Sequence, residues 1–220
     1  MESGVKNIIV CDTKGAIYKD RPVNMNNEKK ALAEITNPNC EKGSLEEVIK
    51  GAHLFIGVSA AGVLKPEMIK SMAEKPVVFA LANPIPEIMP DEAYEAGAYI
   101  VATGRSDFPN QVNNSLVFPG LFRGAIDIRS KAITTEMKLA AAKGIAELVP
   151  EKQISPTLII PAALEPKVPT VVAKRVAETG IKQDLHRRWV DSDLVSENLR
   201  YFMIHGRFNY AKSLSKCSIK

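Results

Sequence analysis

Four short stretches of this sequence place small residues, amides and hydroxyls directly after apolar runs, an arrangement that can bind a polar ligand. They are "CDTKG" (11–15), "GVSAAG" (57–62), "ALANP" (80–84) and "ATGRSDFPNQVNN" (102–114). Small residues let a ligand approach the backbone, while amides and hydroxyls bind neutral polar groups and carboxylates. Gly, Ser and Asn occur in all loops, so one such stretch carries little weight. Four that follow successive strands favour a ligand site.

The elements that would position these stretches are short apolar strands separated by short helices. Because the strands lack alternating polar residues, they indicate a parallel sheet covered on both faces. The helix signals include a capping box from Ser44 to Glu47 and a proline in the first turn of two helices. In an open parallel sheet, ligands bind beyond the carboxyl ends of the strands, where the four stretches would lie. Strands are predicted at 7–12, 53–59, 77–84 and 98–104, and helices at 27–35, 44–51, 65–75 and 89–97.

The later part of the chain is predicted to be helical. A helix over 134–149 carries apolar residues on one face, and a last helix over 169–179 is predicted to end at Gly180. The predicted fold is therefore an open, doubly wound α/β domain with C-terminal helices. The apolar face of the first of these helices consists of Met137, Ala140, Ala141, Ile145 and Leu148.

Composition and charge exclude several function classes. The chain has 220 residues and a net charge of +4, of which +3 lies beyond residue 183, so the body lacks a basic stripe for nucleic acid. No apolar run is long enough to cross a membrane, and the first residues lack the layout of a signal peptide. The odd number of cysteines, without C-x-x-C spacing, indicates reduced thiols and a cytoplasmic protein. These cysteines are Cys11, Cys40 and Cys217.

The sequence does not support a serine-hydrolase site or a metal site. "GVSAAG" resembles a nucleophile elbow, but Ala61 occupies the position of the last glycine, and no histidine lies where a catalytic triad needs one. Glu87, Asp91 and Glu92 could suggest a metal site, but they lie at a predicted helix start, where the helix dipole accounts for them. We predict no catalytic and no metal-binding residue on this chain.

The stretch "GRSDFPNQVNNSLVFPG" (104–120) is the most ligand-like loop. Most of its polar residues fit a capped helix with a polar lead-in. Two adjacent amides, Asn113 and Asn114, stand at the predicted helix N-terminus at the carboxyl edge of the sheet. Such a place binds an anion better than capping alone requires.

The chain resembles a known family in its longest motifs. "GVKNIIVCDTKGAIY", "FIGVSAAGVL", "VVFALANPIPEIMPDEA" and "IVATGRSDFPNQVNNSLVFPGLFRGA" are similar to the NAD(P)-binding domain of malic enzymes of the short prokaryotic type. The resemblance covers about residues 4–182 and implies a Rossmann-like sheet. Malic enzymes oxidise (S)-malate with NAD(P)⁺ and decarboxylate the product to pyruvate and CO₂, with Mg²⁺ or Mn²⁺ as a Lewis acid.

The resemblance also implies roles for single residues. Asp12 would face the adenosine ribose, and Ser59 and Ala60 would line the dinucleotide groove. Asn83 would lie between the nicotinamide ribose and malate. Asn113, with Asn114 beside it, would bind the malate carboxylate. Asp12 favours NAD over NADP because a carboxylate repels a 2′-phosphate, although Lys14 could attract that phosphate.

The departures from the family pattern are as informative as the matches. In the family, the catalytic Tyr and Lys, the metal ligands and the glycine loop lie upstream of the part that residue 4 begins, so the resemblance implies that the first βα unit is missing here. We therefore expect residues 1–182 to be an N-terminally truncated NAD(P)-binding domain that is inactive alone. Its partner would be a missing N-terminal half or a second copy in a homodimer.

The basic tail over 183–220 resembles nothing in the family. A frame error, a natural extension and a docking segment all remain open for it. The alternative to an enzyme part is a non-catalytic module that binds a dinucleotide or a partner. A third possibility is another dinucleotide enzyme, such as an amino-acid dehydrogenase, which the long match in 104–114 disfavours.

Overall fold

The structure is a computed structural model that describes residues 3–206 and 217–219. The described residues fall into two compact units, the first ending at Val101 and the second beginning at Ala102. The first unit carries most of the strands and the second most of the helical residues.

The first unit begins with a hairpin. Strand β1 (Cys11–Asp12) pairs antiparallel with β2 (Gly15–Ala16) across a two-residue turn. The predicted strand over 7–12 is therefore correct only for its last two residues, and its partner is antiparallel. The carbonyls of Ile8 and Val10 accept from the N–H groups of Asn37 and Ile17, so loop residues occupy positions that a parallel neighbour would take.

A three-stranded sheet follows, with β4 between its neighbours. β3 (Leu54–Gly57) runs parallel to β4 (Val77–Ala80), with Leu54 opposite Val77, and β5 (Ile100–Thr103) is the third strand. This confirms three of the four predicted strands and the α/β fold class. The prediction works here because the runs are short, apolar and bounded by turn residues.

The helices of the first unit begin at the predicted caps. α2 (Leu45–Val48) has the complete capping box, in which Ser44 and Glu47 bond each other's backbone N–H. The other three are α1 (Asn27–Ile35), α3 (Pro66–Lys70) and α4 (Pro90–Glu95), the last two with proline at N1 as predicted. Helices and sheet enclose one core, formed by Ile49, Leu64, Ile69, Met72, Val78, Ala80, Ile88, Ala93, Ala96, Ala98 and Val101.

The second unit is built around one long buried helix. α7 (Lys167–Lys182) packs against α5 (Phe118–Asp127), α6 (Thr135–Ala146) and α8 (Ser192–His205). Glycines make the closest crossing possible, since a Cβ on Gly124 would lie 2.4 Å from a backbone oxygen of α7. The remaining elements are two 3₁₀ turns (Asn114–Leu116 and Glu151–Gln153) and the antiparallel pair β6 (Arg188–Val190) and β7 (Cys217–Ile219).

The prediction for the last helices is right in part. α6 buries Met137, Ala141 and Ile145, as its pattern indicates. Gly180 does not end α7, which continues to Lys182, because Gly180 is buried and a Cβ there would lie 2.6 Å from Ile128 Cδ1. Packing, and not helix termination, explains this glycine. Among the described residues, no helix combines the length and apolar character needed to cross a membrane.

Candidate functional site

Two loops of the first unit leave the same edge of the sheet. Gly57 and Ala80 are paired in register at the ends of β3 and β4, so the loops 58–65 and 81–89 begin side by side. We call them the strand-end loops. Ser59, Ala60 and Asn83 are exposed on them, as the sequence predicts for the carboxyl edge. The structure therefore brings these three candidates to one edge.

A buried carboxyl group joins the two strand-end loops. Glu87 is 0% exposed, and its Oε1 accepts from the backbone N–H of Ser59 at 2.8 Å and from the hydroxyl at 3.3 Å. Its Oε2 accepts from the N–H of Ala82 at 2.9 Å. Its backbone carbonyl accepts from Leu64 N at 3.1 Å. One residue thus fixes both loops through side chain and backbone.

Sequence reasoning missed this role of Glu87. The interpretation of Glu87 as a helix-start acid is wrong, because α4 begins at Pro90 and the side chain bonds loop amides. The signal that could have revealed it is an acid between Pro86 and Ile88, both buried, in the run "IPEIMP". An acid enclosed by apolar residues needs internal hydrogen-bond donors, since burial without partners is costly.

Asp12 lies in the hairpin and is held by cations. Its two oxygens accept from the Arg21 guanidinium at 3.0 and 2.6 Å, and Oδ2 also accepts from Lys29 Nζ at 2.7 Å. Lys14 N and Asn24 Nδ2 complete the set at 2.8 and 3.0 Å. The Arg21 guanidinium, helped by Lys29 and opposed by burial, holds the pKa of Asp12 well below its usual range. None of these partners belongs to the strand-end loops.

The remaining predicted residues lie in the second unit. Asn113 caps the 3₁₀ turn, its Oδ1 accepting from Ser115 N at 3.0 Å, while its Nδ2 donates to Gly104 O at 3.3 Å. Asn114 is exposed, and within the described part of the chain its amide has no partner. The two neighbouring amides therefore differ: the oxygen and nitrogen of Asn113 are both bonded to nearby backbone, whereas the side chain of Asn114 faces solvent.

The polar groups of the candidate site residues suit an organic ligand better than a metal ion. Among residues 3–206 and 217–219, no three His, Cys, Asp or Glu side chains are arranged to hold a metal ion. The described residues thus do not fit a Mg²⁺ or Mn²⁺ centre. Ser59 and Asn83, with the small residues beside them, offer amides and a hydroxyl at a sheet edge, which suits a ribose or a carboxamide.

Comparison with known proteins matches most of this chain to one family. The family model described as "Malic enzyme, NAD binding domain" matches residues 1–181. The bifunctional malic/malolactic enzyme of Bacillus subtilis is 52% identical over 203 residues, which cover 92% of this chain and 50% of that protein. The NADP-dependent malic enzyme of Escherichia coli is 42% identical over 213 residues, covering 90% and 28%.

The solved structures agree with the sequence matches. The malic enzyme of Pyrococcus horikoshii superposes with a TM-score of 0.83 at 40% identity, covering 92% of this chain and 49% of that one. The chain thus spans half or less of the length of these relatives. Matches over 92% of the chain also extend past Lys182, so the expectation that the tail resembles nothing in the family is wrong for the part they cover. Through its NAD-binding domain, this chain belongs to the malic enzyme family.

Proposed function

We propose that this chain is the NAD(P)-binding part of a malic enzyme that oxidises (S)-malate with NAD(P)⁺ and releases pyruvate and CO₂. One observation carries the proposal. Exposed Ser59, Ala60 and Asn83 meet at one edge of a parallel sheet, in a chain whose residues 1–181 match the family's NAD-binding domain. Ligands bind at that edge of open α/β sheets.

In this proposal the residues keep the roles that the family resemblance implies. Ser59 and Ala60 line the dinucleotide groove, and Asn83 serves the nicotinamide ribose and malate. Asn113 and Asn114 bind the malate carboxylate, for which a neutral amide orients the substrate without adding charge near the transferred hydride. The solvent-facing amides of Asn83 and Asn114 support these assignments, since within the described residues neither has a partner.

The cofactor is NAD or NADP, and the hairpin around Asp12 bears on the choice. The relatives include NAD- and NADP-dependent enzymes by name. Arg21 and Lys29 balance the charge of Asp12, which weakens its repulsion of a 2′-phosphate. We keep NAD as the preferred cofactor because a carboxylate that accepts hydrogen bonds can still accept one from a ribose hydroxyl.

The proposed reaction also needs metal ligands and an acid–base pair, which we do not assign to this chain. The metal ligands and the acid–base pair would come from an N-terminal half, in a cytoplasmic enzyme that assembles as a homodimer. Residues 1–182 would form the NAD(P)-binding domain, and 183–220 would follow as its basic C-terminal tail.

A chimera tests this proposal directly. The part of the Bacillus subtilis enzyme that matches this chain is replaced by residues 1–220, and malate-dependent NAD(P)H formation is measured with Mn²⁺. We expect the chimera to be active, and neither the truncated relative nor this chain alone to turn over malate. A folded chimera without activity contradicts the enzymatic role.

A second candidate is a non-catalytic module that binds a dinucleotide or a partner protein. NAD binding by this chain, combined with an inactive but folded chimera, would favour that module.

A further inference from the structure

We infer that Glu87 is a positioning residue that holds the two strand-end loops in the shape that binds the dinucleotide. The inference rests on the proposed function for the identity of the ligand, and on the structure alone for the positioning. Glu87 itself is fully buried and does not reach the exposed edge where a ligand would lie.

The start of the first strand-end loop, residues 58–61, depends on hydrogen bonds because its side chains hardly pack. Val58 is 78% exposed, and Ser59, Ala60 and Ala61 are exposed as well. Small exposed side chains bury little apolar area, so they contribute little to fixing a loop. The bond from Ser59 to the Glu87 carboxyl group therefore ties the start of the first loop to the second, and the bond from Ala82 fixes the same carboxyl group within the second loop.

Backbone hydrogen bonds of Pro86 and Glu87 also join the two strand-end loops. Pro86 O accepts from Gly62 N at 3.3 Å, and Glu87 O accepts from Leu64 N at 3.1 Å. The N–H groups of Ser59 and Gly62 are thus both bonded inward. Between them, Ala60 and Ala61 donate to no residue in the described part of the chain, so their N–H groups are left for an acceptor. Ribose and pyrophosphate oxygens of a dinucleotide are acceptors of that kind.

Gly57 shows that the fold reserves space for this carboxyl group. A Cβ at Gly57 would lie 2.4 Å from Glu87 Cδ and 2.5 Å from Oε1. Its backbone does not demand glycine through a positive φ, so the reason for glycine is the side chain beside it. Among the described residues no Lys, Arg or His forms an ion pair with Glu87. Its partners are backbone and hydroxyl groups of the loops.

The test compares Glu87→Ala, Glu87→Gln and a matched control, Ile69→Val, in the 220-residue chain. Ile69 lies in the same core and is 1% exposed, so its variant loosens the unit but leaves the hydrogen bonds of Ser59 and Ala82 to Glu87 in place. Amide hydrogen exchange of Ser59 and Ala82 reports on positioning, and calorimetric titration with NAD⁺ reports on binding. Thermal melting shows how much stability each variant loses.

We expect Glu87→Ala to speed exchange at Ser59 and Ala82 and to weaken NAD⁺ binding, each by about tenfold or more. Glu87→Gln keeps one acceptor oxygen, so its effects should be about threefold. Ile69→Val should change the Kd less than twofold, roughly, despite a lower melting temperature. Partial rescue by glutamine, without a matching trend in melting temperature, separates positioning from stability.

Two results would overturn the inference. Unchanged exchange at Ser59 and Ala82 in Glu87→Ala removes the positioning role whatever the ligand. Faster exchange with an unchanged Kd shows that the loop shape does not matter for binding. If the unaltered chain binds no NAD⁺, the proposed function fails instead, and the exchange data still decide whether Glu87 holds the loops.

Discussion

The first unit holds two acidic side chains in opposite ways. Asp12 is bound by the cations Arg21 and Lys29, while Glu87 is bound by backbone N–H groups of two loops. Asp12 keeps a side-chain exposure of 15%, and Glu87 has none. The charged network stabilises a hairpin by attraction between side chains. The neutral-donor network fixes loop shape, which is the property that a ligand site needs.

The largest effect is expected from removing the charge of Asp12. Asp12→Asn removes the negative partner of Arg21, whose side chain is only 3% exposed, and leaves a buried cation without its counter-ion. We expect a loss of about 3 kcal/mol in the free energy of unfolding, measured by urea denaturation. The control is Asp107→Asn in the exposed pair with Arg105, for which we expect no measurable loss of stability.

The stability difference between the wild type and Asp12→Asn should depend on pH. Folding lowers the pKa of Asp12, so its contribution is present above the ordinary value of about 4 and fades as the pH falls through the folded value. The stability difference between wild type and Asp12→Asn should be largest near neutral pH and narrow in acid. A constant difference from pH 7 to the acid limit would show that the ion pair does not stabilise the hairpin.

In the second unit, the side chain of Asn113 bonds local backbone and is also proposed to bind malate. In the active chimera, Asn113→Ala should raise the malate KM and lower kcat, a loss of roughly 2–4 kcal/mol in transition-state binding, with NAD affinity nearly unchanged. Asn113→Asp keeps the acceptor that caps Ser115 N but repels a carboxylate, so its malate KM should rise as well. Malate kinetics unchanged in both variants would remove the assignment.

A substitution at Gly57 tests whether the Glu87 carboxyl group needs the space beside this residue. Gly57→Ala should cost about 2 kcal/mol of stability, since the new Cβ overlaps the Glu87 carboxyl group. In a Glu87→Ala background the same change should cost much less, because the obstacle is gone. A double-mutant cycle measures this coupling. Additive effects would mean that Gly57 is required for another reason.

The smallest effect concerns cofactor choice. Asp12→Ser frees Arg21 and Lys29, which now bind the carboxylate, to attract a 2′-phosphate. The ratio of kcat/KM for NADP over NAD in the chimera should rise about fivefold, an effect of roughly 1 kcal/mol. Lys19→Ser is the control, because Lys19 pairs with Glu34 and not with Asp12. An unchanged ratio would mean that Asp12 does not face the ribose.

Local signals in the sequence were enough to place most elements. The caps at Ser44, Pro66 and Pro90 depend only on neighbouring residues, and β3 and β4 are short apolar runs, so these predictions were confirmed. The antiparallel partner of β1 and the packing of Gly180 depend on residues distant in the chain, which single-sequence patterns do not encode.

The candidate site, like the fold, was predictable only where its residues follow local signals in the chain. Ser59, Ala60 and Asn83 follow strands directly, so their common edge could be predicted from the order of elements. Glu87 follows no strand and begins no helix, and its role appears only once two loops fold over its carboxyl group. The cations around Asp12 come from residues 9 and 17 positions later in the chain, a spacing without periodic meaning.

NMR can show whether NAD⁺ binds at the strand-end loops. The ¹⁵N-labelled 220-residue chain is titrated with NAD⁺, and amide shifts are followed residue by residue. We expect the largest shifts in the first unit to fall in 58–62 and 82–85, the parts of the strand-end loops that carry Ser59, Ala60 and Asn83. Saturable binding of NAD⁺ that leaves both of these segments unshifted would contradict this expectation.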